Sequence, residues 1–265
     1  MPGNENFRLH YEDRGHGLPL ILLHGVWMSN RFFSNQIEQL SKHLRIIAVD
    51  FRSHGRSPSP DDGHTVRTYA QDLRTLIGAL ALENFVLAGW SMGAMVMWEY
   101  WQQFGSNGLL GSIVIDQSAS DYAWTDWPLG LVDFEGLQRV MKRLQTSRFE
   151  LCRDLGAAMF SAPVSDSDLD WMVREMSRPA ASVAAAIFFD QTVQDYRKAL
   201  PTFATPTLLC FGRDGKTTPL EAGEHLREIL PNSRLVVFEE SGHCPFLEEP
   251  GKFNDSVLEF VRALH

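Results

Sequence analysis

The sequence predicts an α/β fold: a mostly parallel sheet with helices on both faces and a helical insertion over one edge. Three observations predict it. Short continuous apolar runs alternate with amphipathic stretches of helical spacing along most of the chain. With 265 residues, 44% of them hydrophobic, the chain can bury one large core. The alternation breaks once, between Asp116 and Pro206, where helical spacing alone continues.

Taken in order, strands are expected at residues 7–12, 20–23, 46–50, 85–90, 113–116, 207–212 and 235–239. Runs such as Leu20-Ile21-Leu22-Leu23 have no polar alternation, the mark of strands buried on both faces. Helices are expected at 31–42, 66–82, 92–104, 220–230 and 250–264. The core then comprises residues 1–117 and 201–265, and residues 118–200 form a helical cap over the carboxyl edge of the sheet, where open α/β sheets place ligands. Before Leu20 the chain offers only one clear strand.

Chemistry concentrates at three strand ends. Gly89-Trp90-Ser91-Met92-Gly93 lies between an apolar strand and an apolar helix, so Ser91 falls on a sharp strand-to-helix turn that exposes its hydroxyl. The bland alternative is a serine that caps the helix. The strand at 20–23 ends in His24-Gly25-Val26-Trp27, a turn whose free amides can hold an oxyanion; Val26 and Met92 N–H are the candidates. Downstream, Glu239-Glu240-Ser241-Gly242-His243 follows another strand and sets His243 on the last loop of that edge. A histidine there can take up and return a proton near neutral pH.

On these segments the chain resembles the α/β-hydrolase superfamily, in the branch of small bacterial serine esterases, haloperoxidase-like perhydrolases and enol-lactonases. The resemblance includes Asp50-Phe51-Arg52-Ser53-His54-Gly55-Arg56-Ser57, similar to that family's D-x-R-G-x-G-x-S loop except for Ser53 in place of glycine. It implies a Ser-His-Asp triad, an acyl-enzyme and no cofactor. Two residues compete for the acid. Most relatives carry it in a G-x-x-D-x-x-x-P stretch, but from Gly212 to Pro219 that slot holds Gly215, and Asp214 stands one place early. Asp116, at the end of the strand after the nucleophile helix, matches the placement in other members and is preferred; Asp214 remains the alternative.

The expected reaction is hydrolysis of a carboxylic ester or lactone. Cofactor-free 2,4-dioxygenases of 3-hydroxy-4-oxoquinolines share the fold and the His/Asp pair, which makes them the rival reading. They carry a second histidine where this chain has Met28. Perhydrolase and C–C hydrolase activities are nearer variants, and a non-enzymatic ligand receptor is the most distant alternative.

The insertion holds many aromatic residues, most of them expected to form its own core. Trp124, Phe160 and Phe188, with Trp27 and Trp90 beside the turns, are the candidate substrate contacts, and they imply an apolar or aromatic small molecule. The net charge of −9, with no basic run, argues against nucleic acid as a partner. No apolar run approaches about 18 residues, which argues against membrane spanning. Without a signal-like leader, and with Cys152, Cys210 and Cys244 odd in number and unpatterned, a reducing, cytoplasmic setting is expected. The nine histidines show no metal-binding spacing, so no metal is expected. His54 is read as structural, and nothing fixes the oligomeric state.

Overall fold

A computed structural model describes residues 8–264 of the chain. Seven strands, β1 (Tyr11–Arg14), β2 (Pro19–Leu23), β3 (Arg45–Val49), β4 (Phe85–Trp90), β5 (Leu109–Ile115), β6 (Thr207–Gly212) and β7 (Ser233–Phe238), form one sheet in the order β1-β3-β2-β4-β5-β6-β7. Every pairing is parallel except that of β1 with β3. All six residues of β4 are buried, as they must be for a central strand covered on both faces.

Most helices begin or end near their expected positions: α1 (Ser34–Leu40), α2 (Val66–Ala79), α3 (Met92–Phe104), then after the insertion α8 (Leu220–Ile229), α9 (Pro245–Glu248) and α10 (Pro250–Arg262). The expected helix at 31–42 opens as a 3-10 turn over Asn30–Phe33 and ends at Leu40. At the amino end, Phe7 lies outside the described residues, and the first strand runs later than expected. Its position is set by pairing at the sheet margin, with Tyr11 opposite Val49 and Arg14 opposite Ile46.

Between β5 and β6 the chain forms four helices, α4 (Phe134–Thr146), α5 (Arg148–Ala158), α6 (Asp166–Met176) and α7 (Ala181–Thr192). They meet the sheet edge through named bonds. Trp27 Nε1 donates to Ala184 O on α7 at 3.0 Å, and the His243 amide donates to Met159 O at 2.7 Å.

Parallel register aligns the strand ends. Leu23 pairs with Gly89, Trp90 with Ile115, Ile115 with Cys210, and Gly212 with Phe238, so five consecutive carboxyl termini lie along one edge. The chain leaves β2 toward β3 on one side and β4 toward β5 on the other. The crevice of such a sheet opens at this reversal.

Candidate active site

Ser91 sits at φ 53°, ψ −127°, a left-handed conformation costly for a residue with a Cβ. Strand and helix packing enforces it. Ser91 N–H donates to Ile115 O at 3.0 Å, and Ser91 O accepts from Ala94 N–H at 2.8 Å. The flanking glycines are obligatory, because a Cβ on Gly89 would lie 2.4 Å from Ala94 N and one on Gly93 would lie 2.2 Å from Leu23 O. Trp27 and Asp116 are also held at positive φ, 64° and 47°. Backbone strain therefore gathers at the same sheet edge as the candidate chemistry.

The structure places His243 against Asp116, with Nδ1 and Oδ1 2.7 Å apart. Asp116 is wholly buried, and its other oxygen accepts the Gly212 amide at 2.9 Å. An ionised carboxylate only accepts, so His243 carries its proton on Nδ1 and leaves the Nε2 lone pair free as a base. Asp214 is exposed and pairs with Lys216 at 3.1 Å, outside this arrangement. His243 is fixed from the backbone as well, because its carbonyl accepts the Trp90 indole N–H at 2.9 Å.

The turn after β2 is pinned from beneath by the loop after β3. His24 Nε2 accepts Phe51 N–H at 3.1 Å, His54 Nε2 accepts Trp27 N–H at 3.1 Å, and Asp50 Oδ1 accepts Asn30 N–H at 2.7 Å. Each histidine donates its Nδ1 proton to a carbonyl, His24 to Gly25 at 2.7 Å and His54 to Arg52 at 2.8 Å. Both are therefore neutral. Burial drives the His54 pKa down to about 4 and that of His24 well below its usual value. With Trp27 N–H and Met28 N–H committed to His54 and Gly25 O, Val26 and Met92 N–H have no protein acceptor among the described residues.

Ser91 and His243 line one pocket together with Val26, Trp27, Met28, Trp90, Met159, Met176 and Phe188. Trp124 and Phe160 do not reach it. The Trp124 ring lies 4.6 Å from that of Tyr122 and its indole N–H goes to Ser120 Oγ, while Phe160 is buried where its carbonyl accepts from Lys216 Nζ. Gln117, Asp121, Gln191, Thr217 and Thr218, which sequence reasoning passed over, also line it. The available signal was the short spacing of Gln117 and Asp121 from Asp116 in the same loop. A larger polar cleft of about 590 Å³ shares none of these residues. Its charged groups include the pairs Arg14–Glu12 and Arg178–Glu175, and neither Ser91 nor His243 lines it.

Cys152, Cys210 and Cys244 are buried free thiols, and burial pushes all three pKa values up. Cys244 beside His243 is thus the unreactive thiol form. Among the described residues no group of three or more His, Cys, Asp or Glu side chains is arranged to hold a metal ion, and no helix is long and apolar enough to cross a membrane.

Residues 20–256 match the model of the alpha/beta hydrolase family. The AB hydrolase superfamily protein YisY of Bacillus subtilis is 30% identical over 261 residues, covering 98% of this chain and 97% of that protein. The solved esterase EaEST from Exiguobacterium antarcticum superposes with a TM-score of 0.93 at 26% identity, covering 98% of this chain and 97% of its own. A bromoperoxidase from Bacillus anthracis superposes at 0.92, also 26% identical, covering 96% and 95%. With its matched span, its mostly parallel seven-stranded sheet and its whole-length relatives, this chain belongs to the alpha/beta hydrolase family.

Proposed function

We propose that the protein is a serine hydrolase that cleaves a carboxylic ester or lactone of a small apolar molecule through Ser91, His243 and Asp116. The observation that carries this reading is the 2.7 Å contact of His243 Nδ1 with buried Asp116, behind a pocket that Ser91 enters on a strained turn. In the first half-reaction His243 Nε2 takes the Ser91 proton as Oγ attacks the carbonyl carbon. The oxyanion accepts hydrogen bonds from Val26 and Met92 N–H, donors commonly worth about 3 to 4 kcal/mol each. Collapse expels the alcohol, which takes the proton from His243 and leaves acyl-Ser91. Water, deprotonated by the same histidine, then releases the acid and restores the serine. Asp116 holds the tautomer and stabilises the imidazolium that forms in each half. No cofactor enters these steps.

The pocket supports a short acyl group. Its free volume is about 60 Å³, well below the roughly 150 Å³ of a cavity that takes benzene. An aromatic substrate therefore requires side chains of the insertion, which we read as a cap, to move. The bromoperoxidase likeness favours one variant, in which hydrogen peroxide replaces water and acyl-Ser91 leaves as a peracid. The acidic balance and the three buried thiols fit a small-molecule enzyme of a reducing cytoplasm.

Hydrolysis of 4-nitrophenyl esters from acetate to decanoate, compared between wild type and Ser91→Ala, tests the reading. Turnover greatest for the shortest acyl chains and lost in the variant supports it. Wild-type turnover retained by folded Ser91→Ala refutes it. A wild type inert toward every ester, yet consuming oxygen with a hydroxyquinolone, moves the His243–Asp116 pair to the oxygenase reading.

A further inference from the structure

Part of the pocket lining is not apolar. Asp121, from the loop after Asp116, and Gln191, from α7, both line it and are 5% and 1% exposed. Asp121 Oδ1 accepts from Gln117 Nε2 at 2.6 Å and Oδ2 accepts from Gln191 Nε2 at 2.9 Å. These are neutral donors; no salt bridge reaches the Asp121 carboxylate among the described residues, and the group that acts on it through space is His243. Gln191 Oε1 and Thr217 Oγ1, also on the pocket lining, are buried without a partner. A buried polar atom without a partner is an expensive thing for a fold to keep, and here an amide oxygen and a hydroxyl in that state share the pocket lining with the Asp121 carboxylate. None of them is needed to orient His243, which Asp116 already does. The Asp121 carboxylate and the Gln191 amide oxygen both accept, and a hydroxyl or ammonium donor would complement them.

We propose that Asp121, Gln191 and Thr217 form an accepting subsite that selects substrates carrying a hydroxyl or ammonium group close to the scissile ester. This inference rests on the serine-hydrolase reading and narrows its substrate class. The substrate is apolar where it meets Trp27, Met28, Met159, Met176 and Phe188, and donates a hydrogen bond to the polar part of the lining. Asp121 is a positioning residue in this scheme. Burial raises its pKa to about 6, so at neutral pH it is predominantly the carboxylate that attracts such a donor.

The test uses isosteres: the 4-nitrophenyl esters of 3-methylbutanoate, 3-hydroxybutanoate and 3-aminobutanoate, which differ in one methyl, hydroxyl or ammonium group. Butanoate esters of 2-methylpropan-1-ol and propane-1,2-diol probe the alcohol side in the same way. The readout is kcat/KM of each donor-bearing ester divided by that of its methyl isostere, in wild type, Asp121→Asn and Gln191→Leu. Wild type should favour the donor in at least one set, and each variant should lower that ratio about 10- to 100-fold, chiefly through KM. A loss for the amino ester alone assigns charge recognition, and a loss for both assigns hydrogen bonding. Ratios unchanged by either variant, or a wild type that favours methyl in every set, overturn the subsite. Should wild type hydrolyse none of these esters, the serine-hydrolase reading fails by itself. Their dissociation constants, read from quenching of tryptophan fluorescence, then decide the subsite: tighter binding of the donor isostere lost in Asp121→Asn supports it, and equal binding overturns it.

Discussion

If His54 is a neutral prop under the turn after β2, acid should remove its contribution in a calculable way. Replacing it by Gln keeps a donor and an acceptor but removes the titrating ring. The folded-state pKa of about 4 lies below the ordinary 6.5. Between those values the unfolded chain therefore holds a proton that the native protein does not. Where the unfolded state binds more protons, stability rises with pH, so the contribution of His54 is lost as pH falls from about 6.5 to about 4. The gap corresponds to about 3 kcal/mol for this fully buried group. The whole-protein curve will not display it alone. Asp121, raised to about 6, titrates in the same window with the opposite sign, since the folded state then holds the extra proton; burial raises Asp50 and Asp72 in the same direction. The difference between wild type and His54→Gln removes what the two proteins share and leaves the histidine, together with the part of the low His24 pKa that His54 imposes in the same direction. Urea denaturation at pH 7 and pH 4 should show wild type losing about 3 kcal/mol relative to the variant. Parallel stability curves across that range would refute the neutral-prop argument.

Four further variants follow from other parts of the structure. Asp116→Asn should lower kcat by about 10³- to 10⁴-fold in a folded protein, because an amide facing His243 Nδ1 favours the wrong tautomer; Asp214→Ala, at an exposed ion pair, should stay within about twofold of wild type. Gly89→Ala drives a Cβ to 2.4 Å from Ala94 N, and soluble expression with circular dichroism should reveal a loss of more than about 3 kcal/mol or no folded protein. Trp27→Phe removes the 3.0 Å indole bond to Ala184 O; it should cost about 1 kcal/mol and speed amide hydrogen exchange in α7 relative to α3.

The sheet was legible because strands buried on both faces write themselves as unbroken apolar runs. Phe85 to Trp90 and Thr207 to Gly212 end where such runs end. The first strand was less so: Tyr11–Arg14 is half exposed at the margin, and its place comes from pairing with β3 rather than from its own pattern. The meeting of His243 with Asp116 depends on register, which sequence suggests only through the resemblance; in the fold the end of β5 aligns beside β6 and the last loop reaches over it. The aromatics of the insertion were the hardest part. Trp124 and Phe188 are alike in composition terms, yet packing turns the first toward Tyr122 and the second, 5.3 Å from Trp27, onto the pocket. Gln191 could not be foreseen at all, because it enters the site from α7 only once that helix docks on Trp27.

The central claim is that Ser91 is the nucleophile, and the most direct measurement is covalent. Wild type is treated with a fluorophosphonate, digested, and the modified peptide identified by mass spectrometry, with residual ester hydrolysis followed in parallel. The account predicts stoichiometric phosphonylation of Ser91 and a matching loss of activity, with no labelling of Ser91→Ala. Ester hydrolysis that persists while Ser91 stays unlabelled, or inactivation that tracks a label elsewhere, would contradict it.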